Sequence, residues 1–143
     1  MENKKADQSL TVQEKKTMGR ATWHLLHTIA KYYPRNPTPQ EKKAASGLIE
    51  SLSILYPCPP CASSIAHFHS SKLLNVESQP LFALSLCEFH NFVNLKIGKP
   101  LVDCHSYIEK RETKGGRIAD RVTELKASVA SVWNRVKALY NAA

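Results

Sequence analysis

The chain has no apolar run approaching the roughly 20 residues that a membrane-spanning helix requires. Its opening stretch, Met1 to Leu10, lacks the apolar segment of a secretory signal. A soluble chain is therefore the expectation. Alternating apolar and polar runs bounded by hairpin turns are also missing, which argues against a sheet. Basic residues interleaved with aromatics along one surface, the pattern of a nucleic-acid groove, are absent too. No cysteine occurs from Met1 to Pro57 or from His105 to Ala143.

What is present is globular material. The 143 residues are 43% hydrophobic and 22% charged, too apolar for general disorder and long enough for one domain with modest tails. The net charge of +8 divides into +2 for Met1–Arg20, +2 for Ala21–Cys104 and +4 for His105–Ala143. The basic excess thus lies largely outside the segment that builds a core, and reads as a solvated or partner-facing surface.

Helical periodicity and its punctuation dominate the middle of the chain. Thr22, Leu26, Ile29 and Tyr33 form one stripe and predict a first helix from Met18 to Tyr33. Thr38-Pro39-Gln40-Glu41 is a capping box with proline at the first helical position. It opens a second helix to Tyr56 that buries Ala45, Leu48, Leu52 and Leu55. Pro57 ends it, and Cys58-Pro59-Pro60-Cys61 opens a third, to His69. Ser78-Gln79-Pro80 starts a fourth with the face Phe82, Leu86, Phe89, Val93 and Ile97, stopped by Gly98 and Pro100. A short fifth helix over Asp103–Lys110 completes an all-α, four-helix bundle.

Beyond Gly115-Gly116, Ile118, Val122, Leu125, Val129, Val132, Val136 and Leu139 recur at heptad spacing. Such a C-terminal amphipathic helix lies on its own bundle or a sister subunit, forms a coiled coil, or sits at a membrane surface with Trp133. The organisation read from the sequence is a flexible polar N-terminus (1–17), a helical bundle (18–112) and this helix (113–143).

Four cysteines, Cys58, Cys61, Cys87 and Cys104, allow three disulfide connectivities. Cys58-Pro-Pro-Cys61 at a helix start sets up either thiol redox chemistry or metal ligation. The helix dipole favours a thiolate there, although two prolines remove two N–H donors. Zinc needs four ligands placed tetrahedrally. The 16 residues between Cys87 and Cys104 lack a compact knuckle spacing. A zinc-stabilised helical interaction module is therefore the alternative reading. A thioredoxin-like fold would demand βαβ units that are not there. On the fourth helix, Cys87, His90, Asn91 and Asn94 gather on a polar side that a large heteroaromatic ligand would satisfy, with Trp23, His24 and His27 as an aromatic wall.

The ordered motifs Gly19-Arg20-Ala21-Thr22-Trp23-His24-Leu25-Leu26-His27, Tyr32-Tyr33-Pro34, Tyr56-Pro57-Cys58-Pro59-Pro60-Cys61, Leu86-Cys87-Glu88-Phe89-His90-Asn91-Phe92-Val93-Asn94 and Gly98-Lys99-Pro100 with Asp103-Cys104 resemble the ERV/ALR family of FAD-dependent sulfhydryl oxidases. The likeness covers Gly19 to Cys104, about 60% of the chain.

It implies a bundle gripping FAD, usually as a homodimer, and oxidation of protein thiols with electrons passed to oxygen, giving hydrogen peroxide, or to cytochrome c. Cys58 would exchange with thiols of a protein substrate or an upstream oxidoreductase, and Cys61 would lie against the flavin. Gly19, Arg20, Thr22, Trp23, His27 and Tyr33 would line the cofactor from the first helix. Cys87, His90, Asn91, Val93, Asn94, Lys96 and Lys99 would do so from the fourth. Cys87–Cys104 would be a structural disulfide. Arg20, Lys96 and Lys99 suit the pyrophosphate of that cofactor, whose charge must be neutralised.

The family also suggests the mitochondrial intermembrane space, with secretory-pathway and viral members sharing the core. No metal is implied. Two departures stand out. The shuttle cysteine pair of many members is missing, so clients are oxidised directly at Cys58, or a partner carries the arm, or the chain is a fragment or variant. Lys110-Arg111 also occupies the place of the family's Arg-Trp, leaving Arg111 or Tyr107 to cover the adenine.

Overall fold

The computed structural model describes residues 9–106, with Asn134 and Ala138 as two further helical positions. Four helices make up the architecture: α1 (Val12–Tyr32), α2 (Pro39–Leu55), α3 (Pro59–Ser70) and α4 (Gln79–Lys96). A helical turn follows at 104–106, and there is no strand among the described residues. The heptad helix, its Gly115-Gly116 boundary and most of the fifth helix lie outside the described residues.

Helix α1 starts six residues before the Met18 expected from periodicity. Thr11 Oγ1 accepts from the Glu14 amide at 3.2 Å, and the Thr11 amide donates to Glu14 Oε2 at 2.8 Å. This capping box satisfies two orphan donors and lets a polar tract begin a helix without an apolar stripe. Thr38 and Glu41 make the same pair of bonds, at 3.2 and 2.7 Å, with Pro39 entering α2. Gly98 closes α4 at φ +71°, a left-handed backbone that suits glycine.

The helices pack in pairs, α1 with α4 and α2 with α3. Gln79 donates to the Ala30 carbonyl at 2.9 Å, and Trp23 meets Phe89 farther back along α1, so α1 and α4 run antiparallel. Phe68 of α3 stacks on Phe89 of α4, centroids 4.3 Å apart and 5° from parallel, and joins the two pairs. Helix α4 is the axis of the core and is buried without a break from Phe82 to Phe89.

Two expected core positions are corrected. Leu55 is 76% exposed, while Ile49 is 1% exposed. The seam of α2 runs Ala45, Ile49, Leu52, Tyr56, which also has helical spacing but turns Leu55 outward. Ile97 is 58% exposed because it caps α4 instead of continuing its apolar face.

Candidate active site

Cys58 is the N-cap of α3, with Pro59 and Pro60 in its first turn and Cys61 following. Cys58 and Cys61 form a disulfide with Cα atoms 5.3 Å apart. Cys58 is 3% exposed, whereas Cys61 is half-buried. Because neither proline carries an N–H, the amide of Cys61 is the first donor the helix can offer a thiolate at this end.

A pile of flat rings stands between α1 and α4. Trp23 and His90 stack with centroids 4.0 Å apart and 7° between planes. His27 adds a third ring, 5.6 Å from Trp23, and its Nε2 lies 3.0 Å from His90 Nδ1. Burial holds the His27 pKa below the usual imidazole range. His90 is pushed down to about 4, mainly by burial and further by His27 and Lys99. Both rings are therefore neutral near pH 7, one donating the shared proton and the other accepting it.

One contact ties the segment before the disulfide to α1. Thr22 Oγ1 donates to the Met18 carbonyl at 2.8 Å and lies 3.0 Å from the Tyr56 hydroxyl. Tyr56 stands two residues before Cys58, and Thr22 immediately precedes Trp23. Gly19 is half-buried and Arg20 exposed on the turn before.

The remaining residues singled out from sequence divide between several places. Tyr33 donates to the Val76 carbonyl at 3.0 Å and meets the edge of Phe82, ten residues or ~15 Å along α1 from Trp23. Asn94 is buried and Val93 half-buried, while Lys99 is exposed with its amide donating to the Asn94 carbonyl at 2.8 Å. Asn91 grips the chain after α4: its Nδ2 donates to the Val102 carbonyl at 2.8 Å and its Oδ1 accepts the Val102 amide at 2.9 Å. Cys87 and Cys104, both buried, are joined by a second disulfide with Cα atoms 5.8 Å apart. Lys96 donates to Ser64 Oγ at 3.2 Å, across to α3.

With all four cysteines in disulfides, the zinc reading has no thiolate to bind with. Sequence reasoning missed two residues here. Glu88 is 4% exposed, with Oε2 unpartnered among the described residues. Burial, with Asp103 nearby, raises its pKa to about 7. Ser64, three residues after Cys61, is buried. Neither position carries a local signal, since a lone Glu or Ser on a helix ordinarily marks a solvated face.

The family model for Erv1 / Alr matches residues 20–113, taking in the ring pile, the Cys58–Cys61 pair and the Cys87–Cys104 link. The chain belongs to the Erv1/Alr family. Among relatives, it is 40% identical over 100 residues to the FAD-linked sulfhydryl oxidase ERV1 of Oryza sativa subsp. japonica, covering 70% of this chain and 52% of that protein. It is 38% identical over 98 residues to the mitochondrial FAD-linked sulfhydryl oxidase ERV1 of Saccharomyces cerevisiae, covering 68% and 51%. The crystal structure of the yeast Erv1 core superposes with TM-score 0.65 at 32% identity, covering 82% of this chain and 98% of that one. The FAD binding domain of Erv1 from Saccharomyces cerevisiae gives 0.63 at 36%, covering 71% and 96%. The Erv1/Alr chain described here spans about half the length of the curated relatives it matches. No helix among its described residues is long and apolar enough to cross a membrane.

Proposed function

We propose that this Erv1/Alr chain is an FAD-linked thiol oxidase that forms disulfides in protein substrates. The observation that carries the reading is a Cys58–Cys61 disulfide at the start of α3, with Tyr56 just before it in contact with Thr22 of α1, the helix that carries Trp23 and His27 of a stack of neutral aromatic rings.

The residues suit a flavin dinucleotide. Trp23, His27 and His90 are incompletely buried and offer flat faces and imidazole donors without a competing charge. Arg20 and Lys99, both exposed, supply cations for a pyrophosphate, and Asn94 supplies an amide. Bound FAD would supply two-electron redox chemistry, linking a dithiol as donor to oxygen, giving hydrogen peroxide, or to two molecules of cytochrome c as acceptors.

The chain's own chemistry is thiol–disulfide exchange. A client thiolate attacks the sulfur of Cys58, the Cys58–Cys61 bond breaks, and Cys61 leaves as a thiolate. A second client thiolate attacks the client sulfur of the mixed disulfide and releases Cys58. The client loses two electrons and the pair gains them. Cys58 is covered, so the turn at 56–58 must move for a client to reach it, whereas Cys61 is half-buried. The amide of Cys61 favours the departing thiolate.

As the resemblance implies, the chain acts as a homodimer. The exposed apolar side chains Leu25 and Leu55 are suited to cover by a sister subunit. The mitochondrial intermembrane space is the proposed compartment, in line with the yeast relatives named mitochondrial.

The purified protein is expected to carry the visible absorbance of oxidised flavin and to consume oxygen when given dithiothreitol. Cys61→Ser should reduce that uptake to background. Uptake by Cys61→Ser at the wild-type rate would overturn the reading.

A further inference from the structure

Ser64 makes two polar contacts with one small side chain. It stands three residues after Cys61 and is 9% exposed. Its hydroxyl donates to the Pro60 carbonyl at 3.2 Å and accepts from Lys96 Nζ, also at 3.2 Å. A hydroxyl has one proton and two lone pairs, so the bonds coexist. Lys96 Nζ lies 4.9 Å from the centroid of the Phe92 ring. Polar contacts thus run from a cation on α4 to the carbonyl of the residue just before Cys61.

Lys96 is otherwise exposed, and an exposed lysine on a flexible four-carbon stem is free to sweep through solvent. Ser64 and Phe92 restrict it to one place at the second turn of α3, where the Ser64 hydroxyl reaches back to the Pro60 carbonyl of the first turn. That turn is short of donors, because Pro59 and Pro60 have no N–H to offer a sulfur anion. A tethered ammonium compensates, since a nearby lysine lowers the pKa of a thiol.

We infer that Ser64 is a positioning residue for the redox pair: it holds Lys96 at the start of α3, where the cation stabilises the thiolate formed when Cys58–Cys61 is reduced. The inference rests on the reading of Cys58–Cys61 as the exchanging pair. Reduction by a dithiol puts two electrons into the pair and turns the dithiol into a disulfide. A cation beside the resulting thiolate shifts that balance toward the reduced pair. Without it, the pair is harder to reduce and its thiol less acidic.

The test uses the flavin-containing protein, equilibrated without oxygen against mixtures of reduced and oxidised dithiothreitol, acid-quenched and assayed for free thiols. Ser64→Ala should lower the equilibrium constant for reducing the pair about threefold, a potential roughly 15 mV more negative. The midpoint of the pH profile for alkylation of the reduced pair by iodoacetamide should rise by about half a unit. Ser64→Thr, which keeps the hydroxyl, should match wild type in both. Lys96→Gln should match Ser64→Ala, and the double variant should add nothing further.

Wild-type values in Ser64→Ala would overturn the inference, as would equal shifts in Ser64→Ala and Ser64→Thr. Should Ser64→Ala fail to fold, Lys96→Gln decides alone, since its exposed side chain can change without disturbing the core; wild-type potential and profile in that variant also overturn it. A wild-type protein that takes up no oxygen would instead sink the oxidase reading, while both thiol measurements would still decide the role of Ser64.

Discussion

Cys58–Cys61 spans three residues at the mouth of a helix and brackets two exposed prolines, whereas Cys87–Cys104 spans 17 and ties α4 to the turn at 104–106. In the first, Cys61 is half-buried, and Ser64, three residues on, accepts a hydrogen bond from Lys96. The second has both cysteines buried, and Asn91 Nδ2 stands 3.4 Å from the Cys104 sulfur. On the proposed reading, what separates a bond that exchanges from one that holds is a charge to receive a thiolate and the length of chain closed, since Cys58 is as covered as Cys87 and Cys104.

Breaking each bond sharpens the contrast. Cys61→Ser has the largest expected effect on activity, loss of thiol-dependent oxygen uptake to background, with little change in the urea midpoint because so short a loop restrains the unfolded chain weakly. Replacing Cys87 and Cys104 together by Ser should cost about 3 kcal/mol in urea unfolding, the loop-closure value for a span of this length. Equal stability losses in the two variants would erase the distinction.

Next in size is the proton on Glu88, the residue after Cys87 on α4. Its folded pKa, about 7, exceeds that of an exposed carboxylate, because burial and Asp103 disfavour the charged form. A raised carboxyl binds its proton more tightly in the folded chain. Stability is then unpenalised below the unfolded pKa and declines as pH rises toward 7. Glu88→Gln should raise stability by on the order of 2 kcal/mol at pH 8 and change it little at pH 4, measured by urea titration at both.

The His27–His90 pair works in the opposite direction over the same range. Its depressed pKa values make the folded chain bind protons less readily than the unfolded one, so stability falls as pH drops from 6.5 toward 4. Glu88→Gln should therefore steepen the acid loss, because the compensating gain is removed. The smallest effect belongs to the capping box that begins α1. Thr11→Ala should cost about 1 kcal/mol and leave thiol potentials unchanged.

The fold was legible where apolar period and stop signals coincided. Thr38, Pro57, Ser78 and Gly98 each bound a helix end that the coordinates also place there. Helix α1 begins before its apolar stripe because Thr11-x-x-Glu14, a cap identical in kind to that at Thr38, opens onto polar residues that carry no stripe. The family motifs named Trp23, His27 and His90, and the three rings do meet. Ser64 and Glu88 were invisible because their significance comes from other helices. Lys96 lies 32 residues from Ser64, and Glu88 is buried only because α4 is enclosed on every side.

The two hydrogen bonds between Asn91 and the backbone of Val102 bear on how the chain matures. They need no oxidant, so a freshly synthesised chain with four thiols can seat residues 101–104 against α4 before any sulfur bond exists. Cys87 and Cys104 are thereby brought within reach of each other by an amide, and later oxidation welds a joint that is already closed.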